Sequence, residues 1–327
     1  PAPLIRNRLA RRFLPDPWRD LLFDCWASNR IGHCDIFYGW SGQALYSLRR
    51  VRRTGAVSFL DRGVVEVRTQ ERLLDEELRR HGLRGVSLLQ MEVRRILAEY
   101  DEADVIVVPS RLVYDSLRDC GHPDSKLWLC PLGVDTMRFT PCPNSDGVFR
   151  VLFLGRIGLQ KGVVYLLRAW RKLALPRAEL VLMGPPGSRA ERPGRAVVLR
   201  EIERMSRPDV RLAPATSQPE KAMRQASVLV LPSVQDGFGL VVLEAMACGI
   251  PVIVSDHVGA KDCVRDGVDG FICPVRDVEA LAGALQRLYD DPFLRMRMGE
   301  NARKQAQRYT WDAYRERLIG KIDQFSR

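Results

Sequence analysis

The sequence predicts an α/β protein made of two Rossmann-like halves. Three observations predict it. Short apolar runs such as Val228 to Leu231 recur along the chain, each followed by turn residues and then a helical pattern, as parallel strands buried on both faces require. The stretch from Cys130 to Pro143 holds four breakers and no period, so it reads as a linker between domains. At 327 residues and 46% hydrophobic, the chain can bury two cores.

In the first half, Asp35 to Gly39 reads as a strand end, followed by a helix from Ala44 to Arg50. Ala56 to Leu60 is a strand, and Asp61-Arg62-Gly63 is its exit loop. Helices are expected over Val67 to Arg80 and Val86 to Tyr100, and a buried strand over Asp104 to Ser110. A helix from Arg111 to Asp119 and a strand from Leu127 to Leu132 close this half. The second half begins with a strand at Arg150 to Leu154 and a helix at Val163 to Leu173. Strands follow at Glu179 to Met183 and Val210 to Leu212, then a helix at Pro219 to Gln225. After the strand Val228 to Leu231 come the loop Asp236-Gly237-Phe238-Gly239, a helix from Leu240 to Cys248 and a strand at Val252 to Val254. Phe271 to Cys273 is a short strand and Val278 to Tyr289 a helix; Thr310 caps a final helix, Trp311 to Phe325.

Two stretches carry chemistry. In the first, a helix N-terminus follows a Gly-X-Gly turn at the carboxyl end of a parallel strand, a place suited to a phosphate. Asp236 and Glu244, with seven residues between them, flank that turn and are expected to face one ligand. Carboxylates beside a phosphate site accept bonds from hydroxyls, which points to a ligand holding sugar as well as phosphate. In the second, Gly155-Arg156-x4-Lys161-Gly162 leaves the first strand of its half, so it opens at the same sheet edge. It fits neither a Walker loop nor a dinucleotide fingerprint, but an Arg fork and a Lys at this spacing can bracket a diphosphate.

Asp236-x7-Glu244, with Phe238-Gly239-Leu240 and Glu244-Ala-Met-Ala-Cys-Gly-Ile-Pro251, resembles the Glu-x7-Glu signature of retaining GT-B glycosyltransferases of the family-four type, glycosyl transferases group 1. Asp236 departs from that signature, standing where the family has its first Glu. The resemblance implies a GT-B architecture, two Rossmann-like domains facing across a cleft. The expected division is an acceptor-side domain over 1–140, a nucleotide-sugar donor domain over 141–308, and a C-terminal helix over 309–327 packing back toward the first domain. A leading apolar strand with a glycine-rich turn is missing, so the N-terminal domain is expected to be incomplete at its start.

The resemblance also implies roles. Gly155, Arg156 and Lys161 hold the donor diphosphate, and Glu244 accepts bonds from the donor ribose. Asp236 contacts hydroxyls of the transferred sugar, while Gly237, Phe238, Gly239 and Leu240 line sugar and phosphate and Leu212 lies at the base. Arg156, Lys161 and Asp236 are the catalytic candidates. Related enzymes carry a histidine where Glu66 stands in Asp61-Arg-Gly-Val-Val-Glu66, so Asp61, Arg62 and Glu66 are acceptor-side candidates, with ordinary loop roles as the alternative. No Asp-x-Asp pair appears, so no metal is expected, and no cofactor, since the nucleotide sugar is itself a substrate. Two rivals remain: a degenerate nucleotide-sugar binding protein, and another GT-B enzyme such as a nucleotide-sugar epimerase.

Net charge is +11, with ten arginines against four acids in residues 1 to 53. Clusters at Arg6, Arg8, Arg11, Arg12 and at Arg49, Arg50, Arg52, Arg53 suit peripheral contact with an anionic membrane, or a solvated face that favours anionic substrates. No recognition helix or aromatic-basic platform accompanies them, so nucleic acid is not the expected partner. No apolar run approaches a spanning helix. Eight scattered cysteines without a Cys-x-x-Cys pair fit a reducing cytosol, with Cys130 and Cys248 as packing residues. His33, His81, His122 and His257 are expected at the surface or in loops. The expected location is cytoplasmic, peripheral at the inner face of the membrane.

Overall fold

The computed structural model describes residues 16–84, 90–142, 146–185 and 192–325. The cluster Arg6 to Arg12, the start of the helix expected at Val86 and the linker residue Pro143 lie outside the described residues. By packing, the chain forms two compact units. Of the described residues, one comprises 16–71, 90–130 and 316–325, and the other 72–84, 131–142, 146–185 and 192–315.

The first unit contains α1 (Asp16–Ser28), β1 (Ile36–Trp40), α2 (Leu45–Arg52), β2 (Val57–Asp61), the first turns of α3 (Val67–Arg80), α4 (Gln90–Glu102), β3 (Val105–Val108), α5 (Arg111–Asp119) and β4 (Leu127–Leu129). The strands form a parallel sheet in the order β1-β2-β3-β4. All four residues of β3 are buried, and the core around it includes Leu48, Leu60, Tyr100 and Leu117. Each such side chain contributes about 1.5–3 kcal/mol by leaving water. The amino end of α2 is held by two buried carboxylates. Asp24 accepts from the backbone N–H groups of Tyr46 (2.7 Å) and Ser47 (3.0 Å), and Glu99 from Gly42 (2.5 Å) and Ala44 (3.0 Å).

The second unit contains β5 (Phe149–Leu154), α6 (Val163–Lys172), β6 (Ala178–Met183), α7 (Arg192–Met205), β7 (Val210–Ala213), α8 (Pro219–Arg224), β8 (Val228–Leu231), α9 (Val241–Ala247), β9 (Val252–Ser255), β10 (Gly270–Cys273), α10 (Val278–Asp290), α11 (Pro292–Ala306) and the start of α12 (Trp311–Ile322). Its parallel sheet runs β10-β9-β8-β5-β6-β7. From β5 the chain winds outward through β6 and β7, then returns to β8 beside β5 and winds the other way. The order therefore reverses between β5 and β8, and it is at the carboxyl ends of such a switch point that open α/β sheets bind ligands. The apolar face of α6, including Leu166, Leu167 and Trp170, is fully buried, and Trp170 Nε1 donates to Asp209 at 3.2 Å. Cys130 and Cys248 are buried packing residues, as expected.

The period-free stretch after Cys130 is tightly held. Arg303 donates to the carbonyls of Phe139 and Ala247 (both 2.7 Å) and Thr136 (3.1 Å), and Phe139 is buried. Thr310 caps α12 by accepting from Ala313 N at 3.1 Å. His81 lies in the turn after α3, as expected, but its side chain is only 7% exposed and lies 3.2 Å from Glu77. Burial alone would raise the Glu77 carboxyl, but bonds from His81, Arg276 and Tyr165 outweigh it and leave the group below the usual range. Three helices, α1, α7 and α11, occupy stretches in which the sequence reading places no element.

Candidate functional site

Three loops leave the carboxyl ends of the adjacent strands β5, β8 and β9 and are laced together. Val234 N donates to Gln160 O at 2.9 Å, and the Gln160 side chain to Gln235 at 2.8 Å, joining the first loop to the second. Asp236 N donates to His257 O (3.0 Å) and Gly259 N to Asp236 O (2.9 Å), joining the second to the third. His257 Nδ1 lies 2.9 Å from Val234 O, which requires its proton on Nδ1 because a carbonyl only accepts.

Within this lacing Lys161 Nζ donates to Asp236 Oδ2 at 2.6 Å, with side chains 16% and 15% exposed. Two candidates 75 residues apart in sequence are thus in direct contact. Lys161 precedes Gly162, which opens α6 at φ +67° with no side-chain cap. A Cβ on Gly162 would stand 1.9 Å from Pro232 O, so glycine is required there on two counts. The loop crossing fixes Lys161 beside Asp236 through this close approach. Gly155 and Arg156 follow β5 directly, and Arg156 is exposed.

Gly237 and Phe238 are buried, and Ala260 N donates to Phe238 O at 2.6 Å. Gly239 (φ +82°) and Leu240 lead into α9. Glu244, one turn into α9, has surroundings unlike those of Asp236. Burial pushes its carboxyl above the usual value, Arg138 opposes that, and Glu220 adds to it. Arg138 itself pairs with Glu220 at 2.9 Å. Leu212 is 45% exposed near the end of β7, two strands from β5. Sequence reasoning missed Gln160, Gln235, His257 and Arg138. The first three lie in loops directly after β5, β8 and β9, so the rule that found Lys161 and Asp236 also reaches them.

In the first unit the acceptor-side candidates are engaged locally. Glu66 is fully buried and caps α3, its Oε2 accepting from the N–H groups of Arg68 (2.8 Å) and Thr69 (2.9 Å). Arg62, 4% exposed, donates to Val65 O at 2.7 Å and Gln70 Oε1 at 3.0 Å. Asp61 is half-buried and accepts from Tyr38 Oη at 2.7 Å; burial raises its carboxyl. Arg62 and Glu66 therefore brace the loop after β2, and only Asp61 keeps partial exposure.

Residues 142–305 match the family described as glycosyl transferases group 1. Among curated relatives, a D-inositol 3-phosphate glycosyltransferase of Acidothermus cellulolyticus is 30% identical over 254 residues, 69% of this chain and 55% of that protein. The enzyme of the same name from Streptomyces bingchenggensis is 40% identical over 171 residues, 49% of this chain and 37% of that protein. The chain thus spans about half the length of these relatives or less. Among solved structures, sucrose-phosphate synthase from Thermosynechococcus elongatus superposes with a TM-score of 0.79 at 22% identity, covering 95% of this chain and 80% of that one. Anabaena HepE in complex with UDP and glucose gives 0.78 at 16% identity, covering 92% and 81%. These structures share the fold, which is GT-B. With the family match spanning half of its 327 residues, the chain belongs to the group 1 glycosyltransferases.

Proposed function

We propose that the protein moves a sugar from a nucleotide diphosphate sugar to an acceptor, with retention of anomeric configuration and without a metal ion. The meeting of Lys161 and Asp236 at the point where the strand order reverses carries this reading. Lys161 and Arg156 take the donor diphosphate. As the bond from the anomeric carbon to the diphosphate oxygen breaks, negative charge grows on the leaving group, and these cations with the first turn of α6 stabilise it. Leu212 lies two strand spacings from β5, roughly 10 Å, a reach suited to the span from diphosphate to base. Glu244 accepts from the ribose and Asp236 from hydroxyls of the sugar. An acceptor hydroxyl attacks the same face with no enzyme nucleophile, and its proton passes to the departing diphosphate oxygen.

The relatives named for D-inositol 3-phosphate and the complex of HepE with UDP and glucose support a nucleotide-sugar donor and a polyol or sugar acceptor. We place that acceptor in cell-surface polysaccharide or glycolipid synthesis, at the cytosolic face of a membrane met through the basic N-terminal segment. Incubation with a panel of labelled nucleotide sugars in EDTA tests the assignment. Slow donor hydrolysis is expected for one of them. Tight binding with no turnover of any donor would favour a degenerate binding protein, and a strict need for magnesium or manganese would count against metal-free stabilisation.

A further inference from the structure

At the amino-terminal edge of the second sheet lies a cavity of about 1130 Å³. It is bounded by Phe149 at the start of β5, Ser227 just before β8 and Pro251 just before β9. Tyr289 of α10 and Arg295 and Met296 of α11 also line it. In a parallel sheet this edge is opposite the one that carries Lys161 and Asp236, a strand's length away, on the order of 15–20 Å. The cavity therefore cannot be part of the donor crevice. It is large enough for a small organic ligand.

Arg295 is the informative residue. Its guanidinium lies 5.2 Å from the centroid of the Phe149 ring, and Nη1 donates to Leu288 O at 2.6 Å. It forms no ion pair among the described residues. Burial lowers its pKa, and the acid that opposes this, Asp291, is committed to capping α11 through Leu294 N at 2.8 Å. A half-buried cation without a carboxylate partner is a costly arrangement that a bound anion relieves. Arg177 and Lys304 add positive charge to the lining, and Arg177 is held at φ +52°, an uncommon backbone state for a side chain of its size. Of the acids in the lining, Asp290 is engaged by Gln286 (2.8 and 3.0 Å), and Glu300 is exposed. Phe149 and Tyr289 meet edge to face with centroids 5.4 Å apart; Phe149 is only 5% exposed and covered by Arg295, so the half-buried Tyr289 presents the aromatic surface beside the cation.

We propose that this cavity binds a small aromatic anion, a ring bearing a carboxylate or phosphate, with Arg295 on the anionic group and Tyr289 against the ring. Calorimetric titration of the full chain with phenyl phosphate, with and without saturating uridine diphosphate, tests it. One saturable site is expected, indifferent to uridine diphosphate and tighter for phenyl phosphate than for inorganic phosphate. Arg295→Met and Met296→Glu should each weaken it about tenfold or more, the first by removing the charge and the second by setting a carboxylate at the wall. Met296 is 60% exposed, so its substitution leaves the packing intact, and melting curves of the unliganded proteins check both folds. Absence of saturable binding, loss of binding with uridine diphosphate, unchanged affinity in the folded variants, or equal affinity for inorganic phosphate would each overturn the assignment.

Discussion

Lys161 and Asp236 pair at 2.6 Å, so in the proposed roles a donor diphosphate competes with a carboxylate for the same ammonium. Removing that ammonium should cost about 1.5–3 kcal/mol of uridine diphosphate binding, which calorimetry on Lys161→Ala would measure. Asp236→Asn should go the other way for the free nucleotide, tightening it by up to about tenfold while turnover falls. Weaker nucleotide binding in Asp236→Asn would mean that the carboxylate chiefly orients Lys161. Glu244 makes a prediction about pH. Its folded pKa lies above the ordinary 4.5, so the native state holds its proton more tightly than the unfolded chain does. The resulting cost is absent below about 4.5, grows as pH climbs to the folded value and is complete above it. Glu244→Gln should therefore raise the melting temperature at pH 7, with the gain vanishing toward pH 4. A gain that is the same at both pH values would show that burial of the charge is not its cause.

At the scale of the element, the entry to α6 depends on Gly162. Alanine there faces both a left-handed φ and a contact at 1.9 Å, so Gly162→Ala should destabilise the protein by more than about 2 kcal/mol. Chemical denaturation measures this, and a loss below about 0.5 kcal/mol would mean that the loop relaxes freely. The strands and the site loops were legible because buried parallel strands are continuous apolar runs, and because ligand loops follow their carboxyl ends. Helix α11 was not, although Asp291 before Pro292 is a start signal that the structure uses. Its arginines and methionines blur the apolar stripe on which periodicity depends. Helix α7 was hidden by Pro193 and Gly194 in its first turn. Glu66 read as a chemical group because a carboxylate in a loop does not reveal from sequence that it will cap the next helix. Asp236 and Glu244 read as a pair by spacing, yet their neighbours, Lys161 for one and the Arg138 region for the other, come from segments far away along the chain.

For the whole molecule, charge sets one prediction. With +11 overall, and with Arg50 and Arg53 exposed in the first unit, the protein should co-sediment with vesicles rich in anionic lipid but not with zwitterionic ones. It should come off as salt is raised to about 0.5 M, where the screening length falls to roughly 4 Å. Equal binding to both vesicle types would remove the membrane proposal. The strand order of the second sheet has a kinetic consequence as well. Its central pairing joins Val151 to Val228, which closes a long stretch of chain, whereas β5–β6 and β8–β9 join strands that follow one another closely. Non-local pairing is entropically late and slow. The nascent second unit can therefore form β5–β6–β7 and β8–β9–β10 as separate ribbons, each carrying one half of the Lys161–Asp236 pair. The Lys161–Asp236 contact then reports the closing seam of the sheet, and in a refolding experiment donor turnover, which the proposed function assigns to both groups, should appear with the slowest phase rather than with the first helical signal.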